Sequence, residues 1–150
     1  MVVMRVLFSA AEIAARVDAL AGEIAHHLSR IRHCRRRFLL QTSSARWTGP
    51  ARPGIEFMRL SSYGLAKENA GVVHLLGDIP TGHAGRPVLL VDDIVDTGRA
   101  IARAAAQLSQ RVTGDLWTCA FLYKPQRREI AVAIDFVGFS IGDVFAVVRY

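Results

Sequence analysis

Apolar residues fall into two kinds of spacing along this chain. Ile13, Val17, Leu20, Ile24 and Leu28 recur at the three-to-four-residue interval of one helix face. Ser9-Ala10-Ala11-Glu12 precedes them as a capping box, with Ser9 as N-cap and Glu12 reaching back. Together they predict a helix from about Ala10 to Ser29. Elsewhere the apolar residues come in short runs bounded by polar or breaker residues, the pattern of strands buried on both faces. These runs predict strands at Met1–Leu7, Ile55–Leu60, Val72–Leu76, Pro87–Val91, Leu116–Leu122, Val132–Val137 and Val144–Val148, with a brief one at Phe38–Leu40. Ile101–Leu108 reads as a second helix whose alanines permit close packing on a sheet. Ser61–Gly71 has the polar, glycine-containing profile of a mobile loop, and Gly77–Gly85 that of a long turn.

Strands separated by helices predict an α/β fold, a mainly parallel twisted sheet flanked by helices. A chain of 150 residues fits one domain, residues 1–150, with enough length for a core. No apolar run approaches the roughly 18 residues of a membrane span, and no signal peptide is evident. Cys34 and Cys119 are far apart, which favours reduced thiols and a cytoplasmic setting over a disulfide or metal site. His26 and His27 read as a surface pair near a helix C-terminus rather than as metal ligands. Trp117 reads as core or interface. The net charge of +6 points at first to nucleic acid. However, Arg30, Arg32, Arg35, Arg36, Arg37, Arg46 and Arg52 lie in one stretch with no Asp or Glu, and without it the chain is near neutral. The basicity therefore belongs to residues 30–54, and a nucleic-acid partner is not expected.

The chemistry concentrates at Val88–Ala100, V-L-L-V-D-D-I-V-D-T-G-R-A. A buried strand runs into three aspartates and a Thr-Gly, then into a helix. Parallel sheets place ligands at the carboxyl ends of their strands. Amides at a turn and helix start face a phosphate, and carboxylates just before them can take sugar hydroxyls. A solvated strand end is the bland alternative, and Asp96-Thr97-Gly98 behind the acids weighs against it.

Val91-Asp92-Asp93-Ile94-Val95-Asp96-Thr97-Gly98 resembles the phosphoribosyl-diphosphate signature of type I phosphoribosyltransferases. Three further stretches are similar to the hypoxanthine-guanine members. Glu56–Gly64 resembles their strand and lid-loop start, Leu122–Glu129 their purine-contacting lysine loop, and Asp135–Phe145 the segment that covers the base. The resemblance spans about Ile55 to Phe145 in order. It implies a sheet-and-helix fold with a small hood region. It also implies purine salvage: transfer of 5-phosphoribosyl from phosphoribosyl diphosphate to N9 of hypoxanthine or guanine, releasing pyrophosphate and giving IMP or GMP. Asp92 and Asp93 would then hold the ribose hydroxyls as ionised acceptors, with the face of Asp93 depending on strand register. Asp96 would accept the proton at purine N7. Thr97, Gly98, Arg99 and Ala100 would wrap the 5-phosphate. Lys124 would donate to purine O6, Phe145 would stack on the ring, and the backbone at Ala146 would meet its 2-position. Ser62 and Tyr63 would form the lid. Mg²⁺ would ride mainly on substrate oxygens, with Asp92 and Asp93 as its protein neighbours. A homodimer or homotetramer is implied as well.

The chain departs from the family pattern in three places. The Leu-Lys-Gly turn that grips pyrophosphate is missing, and the arginine-rich stretch stands there. Ala100 replaces a threonine. The family continues past the position of Tyr150 with a metal-holding Asp and a nearby Arg, so that part of its fold is expected to be missing. Phe145–Tyr150 also aligns with the family's Phe-Val-Val-Gly-Tyr with a one-residue ambiguity. One hypothesis covers the first departure. Asp-Leu-Val-Arg-Ala-Leu-Asp-Arg-Ala would suit the family's helix, and in GC-rich codons with the first base dropped it reads as Thr42–Pro50 of this chain. The coding DNA decides it: if no single-base shift there yields a family-like helix, the frameshift fails. The alternatives to an active enzyme are a catalytically impaired or inactive relative that binds purine nucleotides and an RNA-binding regulator on the same scaffold.

Overall fold

The computed structural model describes residues 6–29, 37–40, 54–61, 74–76, 87–111 and 114–146. Helix α1, Ala10–Ser29, begins at the predicted capping box. The Ser9 amide donates to Glu12 Oε2 at 2.7 Å, and the Glu12 amide donates back to Ser9 Oγ at 3.3 Å. The Ser9 hydroxyl also donates to Glu12 Oε2 at 2.6 Å, and this bond, then the Ser9 amide, holds the Glu12 carboxyl below its usual range. The strands are β1 (Arg37–Leu40), β2 (Gly54–Glu56), β3 (Arg59–Ser61), β4 (His74–Leu76), β5 (Val88–Val95), β6 (Leu116–Tyr123) and β7 (Phe136–Ser140). Helix α2, Arg99–Ser109, joins β5 to β6.

Five strands pair in the order β2-β1-β5-β6-β7, every pair parallel. The strand alternation of β5 sends side chains to two cores. Leu89 packs with Leu20, Ile24 and Leu28 of α1 and with Cys119 and Phe136. Val88 and Leu90 pack with Ile101, Ala104 and Leu108 of α2 and with Ala120. Helices therefore cover both faces of the sheet, as the run-and-period pattern predicts. Arg16 ties α1 to β7, donating to the carbonyls of Gly138 at 2.7 Å and Val137 at 2.6 Å.

Several predicted elements take other forms. Ile55–Leu60 is two strands in different sheets. β2 pairs with β1, whereas β3 pairs antiparallel with β4 in a separate two-stranded sheet. The break falls at Phe57-Met58, where Met58 turns into the α2-side core and Phe57 is exposed. β5 runs on to Val95, so Asp92 and Asp93 lie within the strand and not after it. Strand β7 starts only at Phe136, because the lead-in is held by side chains. Thr118 Oγ1 donates to the Ala133 carbonyl at 2.7 Å, and Asp135 Oδ2 accepts from the Thr118 amide at 2.7 Å. Val132 and Ile134 pack on the α2-side core from that irregular path. Val144–Ala146 is not strand. His27 is no surface residue: its ring meets Trp117 edge-on at 4.3 Å and Phe136 at 5.6 Å. Met1–Arg5, residues 30–36, the Thr42–Pro50 stretch, Ser62–Val73 and Val147–Tyr150 lie outside the described residues.

Candidate active site

The corner between β5 and α2 is fixed largely by main chain. Gly98 sits at φ +83°, a conformation that favours glycine. A Cβ there would stand 2.9 Å from Arg128 Cζ and 3.0 Å from the Ile130 carbonyl oxygen. The Thr97 carbonyl accepts from the amides of Glu129 at 3.0 Å and Ile130 at 3.2 Å, so the turn rests on the 128–130 segment. Arg128 locks that segment, donating to the carbonyls of Ile130 and Val132 at 2.9 Å each, with its guanidinium 5.5 Å from the Tyr123 ring centroid. Arg99 pairs with Glu129, Nε to Oε2 at 2.8 Å.

Helix α2 starts at Gly98 with no side-chain cap. A glycine in place of a capping side chain costs roughly a few tenths of a kcal/mol. Burial of Ile101 and Leu108, 2% and 0% exposed, contributes roughly 1.5–3 kcal/mol each and outweighs it. The helix thus forms while its first-turn amides keep the polarity that attracts an anion. Thr97 Oγ1 lies 3.4 Å from the Arg99 amide, and Ala100 is half-buried in the first turn.

Asp92 shares the α2 face with Val88 and Leu90 and is only 7% exposed. Asp93 would face the other way by strict alternation. Val95, however, packs with the α2-side core at the end of the strand, while the pairing with β6 keeps its register. The Asp93 carboxyl comes within hydrogen-bonding reach of Asp92 while its Oδ1 accepts from the Ile94 amide at 2.9 Å. Burial, then the charge of Asp93, pushes the Asp92 carboxyl from 3.8 up to about 7. In the ligand-free protein burial thus works against the ionised form of Asp92.

Asp96 follows β5 and meets two cations. Lys124 Nζ lies 3.7 Å from its Oδ2, and Arg127 Nε 2.7 Å from its Oδ1. Oδ1 is shut off from solvent without an aligned hydrogen bond, so the contact with Arg127 is ionic more than directional. Lys124 is 6% exposed at the end of β6, and its amide donates to the Val95 carbonyl at 3.0 Å. A buried ammonium needs a partner, and Asp96 supplies it. A one-turn 3-10 helix, Pro125–Arg127, carries Arg127 onward to Asp143, with Nη1 3.2 Å from Oδ1. Phe145 lies two residues later and is 94% exposed, while Ala146 is half-buried. Asp92, Asp93, Asp96, Thr97 and Gly98 are thus gathered in one corner with Lys124 beside them. Ser62 and Tyr63 lie outside the described residues. Arg127, Arg128 and Asp143 were missed as contributors. The signal available was two consecutive arginines after Lys-Pro and an aspartate just before Phe145.

Among the described residues no three His, Cys, Asp or Glu side chains are grouped to hold a metal. No helix of the described residues is long and apolar enough to cross a membrane. Cys119 is a free, buried thiol pushed up to about 12 by burial, which makes it unreactive.

A parallel sheet covered on both faces, with acids and helix amides at the carboxyl end of a central strand, defines an α/β protein with its polar corner where such sheets bind ligands. Residues 18–149 match the family profile described as Phosphoribosyl transferase domain, and the chain belongs to that family. It is 40% identical over 93 residues to hypoxanthine phosphoribosyltransferase of Escherichia coli, covering 62% of this chain and 52% of the relative. It has the same identity and coverage with hypoxanthine-guanine phosphoribosyltransferase of Aquifex aeolicus. The chain thus spans about half the length of the curated relatives it matches. A crystal structure of hypoxanthine-guanine phosphoribosyltransferase from Bacillus anthracis superposes with a TM-score of 0.77 at 26% identity, covering 96% of this chain and 87% of that one.

Proposed function

We propose that the protein transfers 5-phosphoribosyl from phosphoribosyl diphosphate to N9 of hypoxanthine or guanine, giving IMP or GMP and pyrophosphate in purine salvage. The observation that carries this reading is the meeting of Asp96 with Lys124 beside the Gly98 turn. A carboxylate that can take the N7 proton thus stands next to an ammonium that can donate to O6. Family membership and the 40% identity to purine phosphoribosyltransferases support it.

In this reading the amides of Thr97, Gly98, Arg99 and Ala100 hold the 5-phosphate, with Thr97 adding its hydroxyl. Asp92 and Asp93 take the ribose diol. As neighbouring carboxyls they are placed to take two adjacent hydroxyls. Asp96 accepts the N7 proton as the glycosidic bond forms at N9. Lys124 selects a 6-oxo over a 6-amino purine. Phe145, exposed, closes on the base, with the Ala146 backbone at the 2-position and Ser62 and Tyr63 as lid. The donor set fits Mg²⁺ as an ion brought in on substrate oxygens, since two adjacent carboxylates make too small a cage alone. When bound, the ion would supply positive charge against the diphosphate. We take residues 1–150 as one phosphoribosyltransferase domain with a divergent 30–54 segment, acting in the cytoplasm as a homodimer or homotetramer.

The test is pyrophosphate release with hypoxanthine, guanine and adenine in the presence of Mg²⁺. Turnover with the oxopurines and none with adenine is expected. Absence of turnover with all three overturns the reading. Lys124→Ala should weaken purine binding more than phosphoribosyl-diphosphate binding, and equal losses would remove Lys124 from the base site.

A further inference from the structure

Resting on the phosphoribosyl-transfer reading, we propose that Arg127 is a positioning residue that keys the base-covering segment to the proton acceptor. Its guanidinium joins two carboxylates from different parts of the chain, Asp96 at the end of β5 and Asp143 beyond β7. Asp143 is two residues from the exposed Phe145. The single guanidinium therefore relates the group that takes the N7 proton to the ring that covers the base.

The geometry is suited to orientation more than to stability. Arg127, Asp96 and Asp143 are 45%, 38% and 58% exposed, and pairs this open contribute little to folding. Arg127 occupies Asp96 Oδ1 and leaves Oδ2 on the Lys124 side. Oδ2 is thereby left facing the Lys124 ammonium, on the side where the purine would be held. The 3-10 turn anchors the arginine, whose amide donates to the Lys124 carbonyl at 3.2 Å. Both contacts use the fork of guanidinium N–H groups, and a lysine, a point charge, cannot span them together.

The experiment combines steady-state kinetics with hydrogen exchange on wild type, Arg127→Ala, Arg127→Lys and Asp143→Ala. Arg127→Ala should lower kcat/KM for the purine roughly 10- to 100-fold, as expected for a misplaced catalytic group, with the phosphoribosyl-diphosphate KM unchanged. Asp143→Ala should raise the purine KM and leave kcat nearly intact. Arg127→Lys should restore kcat in part but not KM, because it can serve Asp96 alone. In the ligand-free protein, Arg127→Ala should speed amide exchange over residues 141–146 and leave β5 and β6 as they were. Kinetic constants that do not move, or equal losses for both substrates, overturn the proposal. Unchanged exchange at 141–146 overturns it too, and that readout stands even if the wild type shows no turnover, which instead would defeat the transfer reading.

Discussion

The β5–α2 corner and the arc from Lys124 to Ala146 meet at Asp96, yet they are built differently. The corner is main-chain architecture: a left-handed glycine, a carbonyl accepting two amides, and a helix start tied down by buried Ile101 and Leu108. The arc is joined by side-chain ion pairs between half-exposed groups and ends in an exposed phenylalanine. Main-chain hydrogen bonds backed by a core hold a shape before any ligand arrives. Exposed ion pairs hold an orientation but leave the surface to be completed by what binds. On the proposed reading, the phosphate end of the site would be preformed and the base end finished by the base.

The sharpest way to strain this contrast is at the shared residue. Asp96→Asn should cut turnover by about 10²- to 10⁴-fold, the range of a lost proton acceptor, with phosphate-end binding largely kept. Loss of phosphoribosyl-diphosphate binding in parallel would mean that the two ends are not separable. Asp92 comes next. Its pKa is raised from 3.8 to about 7 in the folded chain, so the folded state holds a proton that the unfolded state has released. Relative stability is then full below about pH 4 and falls as pH rises through 7. Asp92→Asn removes that penalty and should stabilise the ligand-free protein at pH 8, on the order of a few kcal/mol, with the gain vanishing toward pH 4. Urea unfolding at several pH values checks it; a gain independent of pH would deny the buried charge.

Gly98→Ala should destabilise by about 1–3 kcal/mol, because the left-handed backbone and the nearby Arg128 and Ile130 atoms both oppose a Cβ. It should also weaken binding of phosphoribosyl diphosphate. Normal melting would show that the turn is less constrained than its geometry indicates. Phe145→Ala should leave stability unchanged, since the ring is 94% exposed. It should weaken the purine alone by roughly 0.5–1.5 kcal/mol, the worth of one aromatic stack. Equal weakening of purine and phosphoribosyl diphosphate would erase the distinction between the two ends.

The same contrast explains what could be read from the chain. α1 was legible down to its cap, because Ser9-Glu12 and the Ile13–Leu28 period are local signals. The β5–α2 corner was legible because turn chemistry and strand hydrophobicity coincide in one run of residues. Its acids are expected to follow the strand, since charge ordinarily ends a buried run; here the pairing with β6 continues through Asp92 to Val95. The break at Phe57-Met58 was not legible, because both residues suit a strand and only the α2-side core decides that Met58 leaves it. Val132–Ile134 failed for a similar reason: the Thr118 hydroxyl takes the Ala133 carbonyl, and the Asp135 carboxylate takes the Thr118 amide. The link from Arg127 to Asp96 joins residues 31 positions apart, and no local pattern announces it.

The most direct measurement concerns the corner itself. Amide hydrogen exchange over residues 96–102 should be followed with saturating GMP and, separately, with guanosine. A cradle for phosphorylated ribose predicts strong slowing at Thr97–Ile101 with GMP and little with guanosine. Exchange there that is the same with GMP, guanosine and buffer would contradict the account.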